Sequence, residues 1–238
     1  MRDLYIDCQM GAAGDMLLAA LLELCDHPGE ILEKIRGMGI PSLQISLETC
    51  EREGRTGTQV HISLEDDVNA GRTLGNVYER IEGLMISDKV KTDAKAVYKI
   101  IAEAEALVHE TDTEHVHFHE VGSLSAIVDI AGVCMVMEAL SVDRVTASPM
   151  HVGSGTVKCA HGLLPVPAPA TAAILKGLPT YSCDIFGELC TPTGAALVRY
   201  FADAFGTMPE KTVLKQGRGF GTKIFPNRIN GIGVTLYE

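Results

Sequence analysis

The chain has 238 residues, of which 46% are hydrophobic and 21% charged, and its formal net charge is −11. That length and balance allow a full apolar core and exclude a disordered chain. An acidic excess with no basic cluster excludes nucleic acid as the main partner, and the longest apolar runs, at 16–22 and 127–137, are too short or too interrupted to span a membrane. The N-terminal MRDLYIDC lacks the apolar core of a signal peptide, and seven scattered cysteines without a CxxC pair fit a reducing compartment. A cytoplasmic protein is expected.

In chain order, residues 2–8 read as a short β-strand. Gly11-Ala12-Ala13-Gly14-Asp15 then turns it into an almost wholly apolar helix over 16–24, buried on all sides. Residues 43–48 and 58–64 alternate, with Leu43, Ile45 and Leu47 on one face and Val60, Ile62 and Leu64 on another. The polar stretch 51–57 between them predicts a hairpin with a loose tip. Val90, Ala94, Val97, Tyr98, Ile101, Leu107 and Val108 follow a 3.6 period and predict a helix over Asp88–Val108, with Ser87 as its N-cap. Leu124–Leu140 reads as a second buried helix with one interior carboxylate, Asp129. The stretch 148–169 is dense in Gly and Pro and predicts loop-rich, site-bearing structure, with a strand end and a tight turn at 152–155. Two strands, 213–216 and 233–237, surround the glycine-rich 217–221. The expected fold class is α/β (or α+β): a single compact mixed-sheet unit over 1–238 with buried helices. Any internal boundary falls near 70–87.

The most informative stretch is EHVHFHEVG. Alternate residues of an extended segment share a face, so His115, His117 and His119 line up on one side with Glu120 at the end of the row. Three imidazoles and a carboxylate suit a borderline transition metal such as nickel, zinc, copper or iron, and the spacing does not choose among them. The alternative is a polar strand whose histidines bond to neighbours or water. Around Gly11, Gly14 and Asp15, a strand running into a glycine turn and a helix suits a phosphate or carboxylate. Those glycines otherwise only permit a sharp reversal, with Asp15 capping the helix. Neither GxGxxG nor GK[ST] is present at this turn. His151, Cys159 and His161 form a further set, with Lys158 beside the thiol, and buried structural cysteine is the competing fate of Cys159. Thr191-Pro192-Thr193-Gly194 opens a helix, either as an anion site or as a plain cap. Gly217–Lys223 with Arg228 either cradles a phosphate or forms a surface loop.

Taken together, IDCQMGAAGDMLLAALL, HVHFHEVG with IVDI, SPMHVGSGTVKCAHGLLPVPAPAT, GELCTPTGAAL and GRGFGTKIFPNR resemble, in order, the blocks of LarC-type nickel-insertion proteins. The resemblance covers nearly the whole chain. It implies insertion of Ni(II) into pyridinium-3,5-bisthiocarboxylic acid mononucleotide, a nickel chelatase reaction of the lyase class that yields the nickel-pincer nucleotide of lactate racemase. It also implies a requirement for CTP with a divalent cation. Family members usually continue into a C-terminal domain, with which CTP binding is associated, and this chain stops at Glu238. Gln9-Met10 stand where the family usually has Phe-Ser, and Ser125 where an Asp is common.

On this resemblance, His115, His117, His119 and His161 are the expected nickel ligands. Glu120 is expected to be the base that takes a ring proton, with Asp129 next in line. Gly11, Gly14 and Asp15, or Thr191, Thr193 and Gly194, are expected to hold the phosphate. The expected partners are the pyridinium mononucleotide, the C-terminal part, lactate racemase apoprotein and further copies of the chain. Two other functions fit the same residues: a non-catalytic nickel-binding assembly subunit, and a metal-dependent hydrolase that activates water.

Overall fold

The structure is a computed structural model that describes residues 1–65, 73–159 and 162–238. In order the elements are β1 (Asp3–Asp7), α1 (Gly14–Leu22), α2 (Pro28–Arg36), β2 (Gln44–Arg52), β3 (Arg55–Ser63), α3 (Leu74–Glu82), α4 (Asp88–Val108) and α5 (Leu124–Leu140). Short pieces follow: β4 (Arg144–Ala147), β5 (Met150–His151), β6 (Gly153–Ser154), β7 (Thr156–Cys159), β8 (Gly162–Pro165), α6 (Pro169–Ile174), β9 (Thr180–Tyr181) and β10 (Gly187–Glu188). The chain closes with α7 (Pro192–Phe201), β11 (Ala204–Phe205), β12 (Val213–Phe220) and β13 (Gly231–Tyr237). Seven strands form one mixed sheet in the order β11-β4-β1-β13-β12-β3-β2. Its β11-β4, β4-β1 and β12-β3 pairs are parallel and the rest antiparallel. This is the α/β mixed-sheet architecture expected from the sequence.

The core is built around α1. Met16 through Leu22 are all buried, because the helix lies between the sheet, where it touches β12, β3 and β13, and helix α5. Uniform apolarity is what a helix with no solvent face requires. The long helix α4 packs against α5, α6, α7 and α3. Val77 and Ile81 of α3 join the same apolar core. The Ser87 side chain accepts from the Val90 amide, the N-cap expected of it, and Ser123 does the same for Ala126 at the start of α5.

Two expectations are corrected. The hairpin tip is not a loose seven-residue stretch: β2 and β3 stay paired to Arg52 opposite Arg55, and only Glu53 and Gly54, both at positive φ, make the turn. Nor is 217–221 a loop. Gly217 through Phe220 belong to β12, and the absence of side chains at Gly217 and Gly219 lets α1 come down onto the sheet. A Cβ on Gly219 would lie 1.9 Å from the Met16 carbonyl oxygen, and one on Gly217 would lie 2.3 Å from that of Ala20.

Candidate functional site

Two of the sequence candidates are one feature. After β1 the chain turns at Gly11 (φ +77). The Ala12 amide donates to the Leu189 carbonyl at 3.1 Å, and the Thr191 amide donates back to the Ala12 carbonyl at 3.0 Å. The starts of α1 and α7 are thereby held side by side. Gly194 makes this contact possible, since a Cβ there would meet the Ala12 carbonyl oxygen at 2.1 Å. Thr191 caps α7 by accepting from the Gly194 amide at 3.2 Å, and its hydroxyl lies 3.0 Å from that of Thr193. Asp15 is not the N-cap of α1; that position is Ala13, which offers no side-chain cap. The Asp15 carboxylate instead accepts from the Met16 amide at 2.8 Å, inside the first turn.

Two cavities adjoin these helix starts. The smaller, about 160 Å³, is lined by Asp15, Glu188, Thr191, Thr222, Lys223 and Asn230 among others. The larger, about 190 Å³, is walled by His119 and Glu120 of the histidine row, Cys159 of β7, Glu105 of α4 and His109 at its C-cap, and Glu188 again. Glu188 is therefore common to both. Lys223 sits 3.3 Å from its carboxylate. The other cations of the glycine-rich segment lie elsewhere: Arg218 is within β12, and Arg228 pairs with Asp184 at 3.1 Å.

The histidine row keeps its alternation without joining a sheet. Val116 and Phe118 are buried while His115, His117 and His119 face outward. The inward residues anchor the segment: Phe118 lies 6.1 Å, centroid to centroid, from Tyr98, whose hydroxyl donates to the Val121 carbonyl at 3.0 Å. The His115 ring is held at Nδ1 by both Asp112 oxygens, at 2.7 and 2.8 Å. A carboxylate accepting the Nδ1 proton leaves Nε2 as the nitrogen available to a metal. Of the three, His119 is the one that lines the larger cavity. Among the described residues, no three His, Cys, Asp or Glu side chains are grouped so as to hold a metal ion. His161 lies outside the described residues.

His151 belongs to a different environment from Cys159. It is buried, stacked 4.7 Å from Tyr181. Its Nδ1 donates to the Gln9 carbonyl at 3.0 Å and its Nε2 accepts from the Cys183 amide at 3.1 Å. With both nitrogens engaged, this ring ties the β1–α1 turn to the segment after β9.

Among the described residues, Asp129, Asp15 and Glu188 have raised pKa values. Burial pushes Asp129 well above the usual carboxylate range, and the neighbouring Asp15 adds to the shift. Asp129 Oδ1 is buried without a hydrogen-bond partner, and its side chain packs against Gly14, where a Cβ would come within 2.8 Å of it. Burial also raises Asp15, against the Met16 amide, Lys223 and Arg52. Glu188 is raised by burial, opposed by Lys223 and reinforced by the charge of Glu120. Sequence reasoning assigned no role to Glu188, Glu105 or His109. Glu105, in the last turn of α4, and His109, its C-cap, have side chains 3.6 Å apart, and that i,i+4 spacing was the available signal.

The described residues contain no helix long and apolar enough to cross a membrane. The family model for nickel insertion proteins matches residues 4–238. The putative nickel insertion protein of Geotalea uraniireducens is 41% identical over 240 residues, covering 100% of this chain and 61% of that protein. Pyridinium-3,5-bisthiocarboxylic acid mononucleotide nickel insertion proteins are similar as well. The one from Desulfitobacterium hafniense is 41% identical over 224 residues, 94% of this chain and 55% of its own length. That of Staphylococcus epidermidis is 37% identical over 224 residues, 94% of this chain and 56% of its own length. The chain thus spans little more than half the length of the curated relatives it matches. No solved structure matches it. With a family match running from the first strand to the last residue, the chain belongs to the nickel insertion protein family.

Proposed function

We propose that this chain carries the nickel-handling part of a nickel chelatase. The reaction places Ni(II) in pyridinium-3,5-bisthiocarboxylic acid mononucleotide, giving the nickel-pincer nucleotide of lactate racemase. The observation that carries this reading is the convergence of separate sequence segments on two adjoining cavities. One cavity offers imidazole, carboxylate and thiol; the other offers a lysine and two helix starts. Nickel and the mononucleotide are both substrates. His115, His117 and His119 receive Ni(II) loosely, with borderline imidazole and hard carboxylate donors strong enough to load the ion and weak enough to yield it to two softer sulfurs. His161 completes the donor set. The phosphate rests at the paired starts of α1 and α7, near Gly11, Gly14, Asp15, Thr191, Thr193 and Gly194, with Lys223 supplying charge.

Bond formation then requires a base. The ring C–H proton passes to the Glu120 carboxylate, the C–H electron pair becomes the carbon–nickel bond, and the proton leaves to water. No electron is gained or lost overall. Glu120 is better placed than Asp129, which sits behind Gly14, lines neither cavity and has its pKa pushed well up by burial. Turnover with CTP and its divalent cation, and delivery to the racemase apoprotein, are assigned to the remaining part of the longer relatives and to assembly with further copies.

The test supplies Ni(II), the thiolated mononucleotide, CTP with Mg(II) and the missing part of a relative to the wild-type chain and to the double variant His119→Ala, Glu120→Gln. Product is followed by mass spectrometry. Loss of the nickel-containing product by at least about a hundredfold is expected, the scale of removing a general base. Equal product from both proteins would refute the assignment.

A further inference from the structure

Glu188 and Lys223 stand where the two cavities meet. The Glu188 backbone is fixed, because β10 pairs with β6 opposite Gly153 and the Leu189 amide donates to Val152 at 3.3 Å. Its side chain is 12% exposed and faces both spaces, whereas Lys223 is 51% exposed and lines the smaller one. We infer that this ion pair exchanges partners, so that a mononucleotide phosphate in the smaller cavity and a divalent metal ion in the larger one strengthen each other's binding.

This inference rests on the reading that the two substrates occupy adjoining cavities, and it adds how they communicate. A half-exposed ion pair is weak and is readily given up when a doubly charged phosphate approaches the lysine. Glu188 then loses its counter-ion while still facing the charge of Glu120, and like charges at close range are relieved by a cation between them. In the other direction, a metal ion drawn to the Glu188 carboxylate from the larger cavity leaves Lys223 free to take a phosphate. Asp15 is the other acidic group at the smaller cavity; Lys223 and Arg52 both act on it, so Arg52 still compensates it after the exchange. Coupling of this kind is reciprocal by necessity.

The experiment is calorimetric titration of Ni(II) into the wild-type chain, with and without saturating nicotinamide mononucleotide. That probe carries a pyridinium ring and a phosphate but no thiocarboxylates, and the reverse titration completes the cycle. Nickel should bind roughly fivefold or more tightly in its presence, with the same factor in the reverse direction. In Glu188→Gln and in Lys223→Met, each checked for an unchanged circular dichroism spectrum, the factor should fall to one. If both ligands bind wild type with unaltered affinities, or the factor survives in Lys223→Met, the exchange is refuted while the two-cavity reading stands. If wild type binds neither ligand, that reading falls and the coupling with it.

Discussion

Gly194→Ala should lower the stability of the protein by about 3 kcal/mol, although alanine favours a helix by about 1 kcal/mol over glycine. The new methyl group would lie 2.1 Å from the Ala12 carbonyl oxygen and 2.5 Å from the Ala13 nitrogen, both backbone atoms. Overpacking of this sort costs about 1–3 kcal/mol. Pushing the helix starts apart also strains two hydrogen bonds, Ala12 to Leu189 and Thr191 to Ala12, worth about 1 kcal/mol each. For a chain of this size the melting temperature should fall by roughly 6–12 °C. Gly75→Ala is the control: it sits in α3 with its nearest neighbour, the Thr73 hydroxyl, at 3.8 Å, and should raise the melting temperature by about 2–4 °C. Thermal unfolding of the two variants should therefore move in opposite directions. A rise for both would mean that α1 and α7 do not meet as described.

Asp129→Asn should change how stability depends on pH. The Asp129 carboxyl is held well above its ordinary range by burial first and by Asp15 second. In the unfolded chain it ionises near about pH 3.9. Below that value it is protonated in both states and its contribution is intact. As pH rises, the unfolded chain releases the proton and the folded chain does not, so stability is lost until the folded value is passed. The loss is about 1.4 kcal/mol per pH unit over that window. An amide cannot ionise and escapes it. Denaturant unfolding should show Asp129→Asn gaining on wild type steadily as pH rises above about 5. Parallel pH profiles would show that Asp129 is ionised, which would restore it as a candidate base.

The large apolar elements were legible because local periodicity and caps agree with tertiary burial. Helices α4 and α5 have the bounds expected of them, α4 with the repeat and Ser87 cap that predict it, and α1 is buried on every side as its composition requires. Short amphipathic helices α2 and α3 lie outside the elements expected from periodicity. The glycine-rich 217–221 misleads for a physical reason: glycine marks both a mobile loop and a strand that another backbone must approach, and the sequence alone does not reveal that α1 crosses there. At the site, the outward face of His115, His117 and His119 follows directly from alternation with Val116 and Phe118. The meeting of His119 and Glu120 with Glu105, His109, Cys159 and Glu188 depends on how α4, β7 and β10 pack, which no local pattern encodes. Likewise, the chemistry of His151 was hidden until both its nitrogens could be assigned partners.

Nickel handling by the histidine row is tested most directly by titration calorimetry and elemental analysis of wild type and of the triple variant His115→Ala, His117→Ala, His119→Ala. These three side chains point outward, so the variant should keep its fold. Stoichiometric nickel binding to wild type and its loss in the variant are the expected result. Nickel bound equally well by the variant would show that the row is structural and that the metal is held elsewhere.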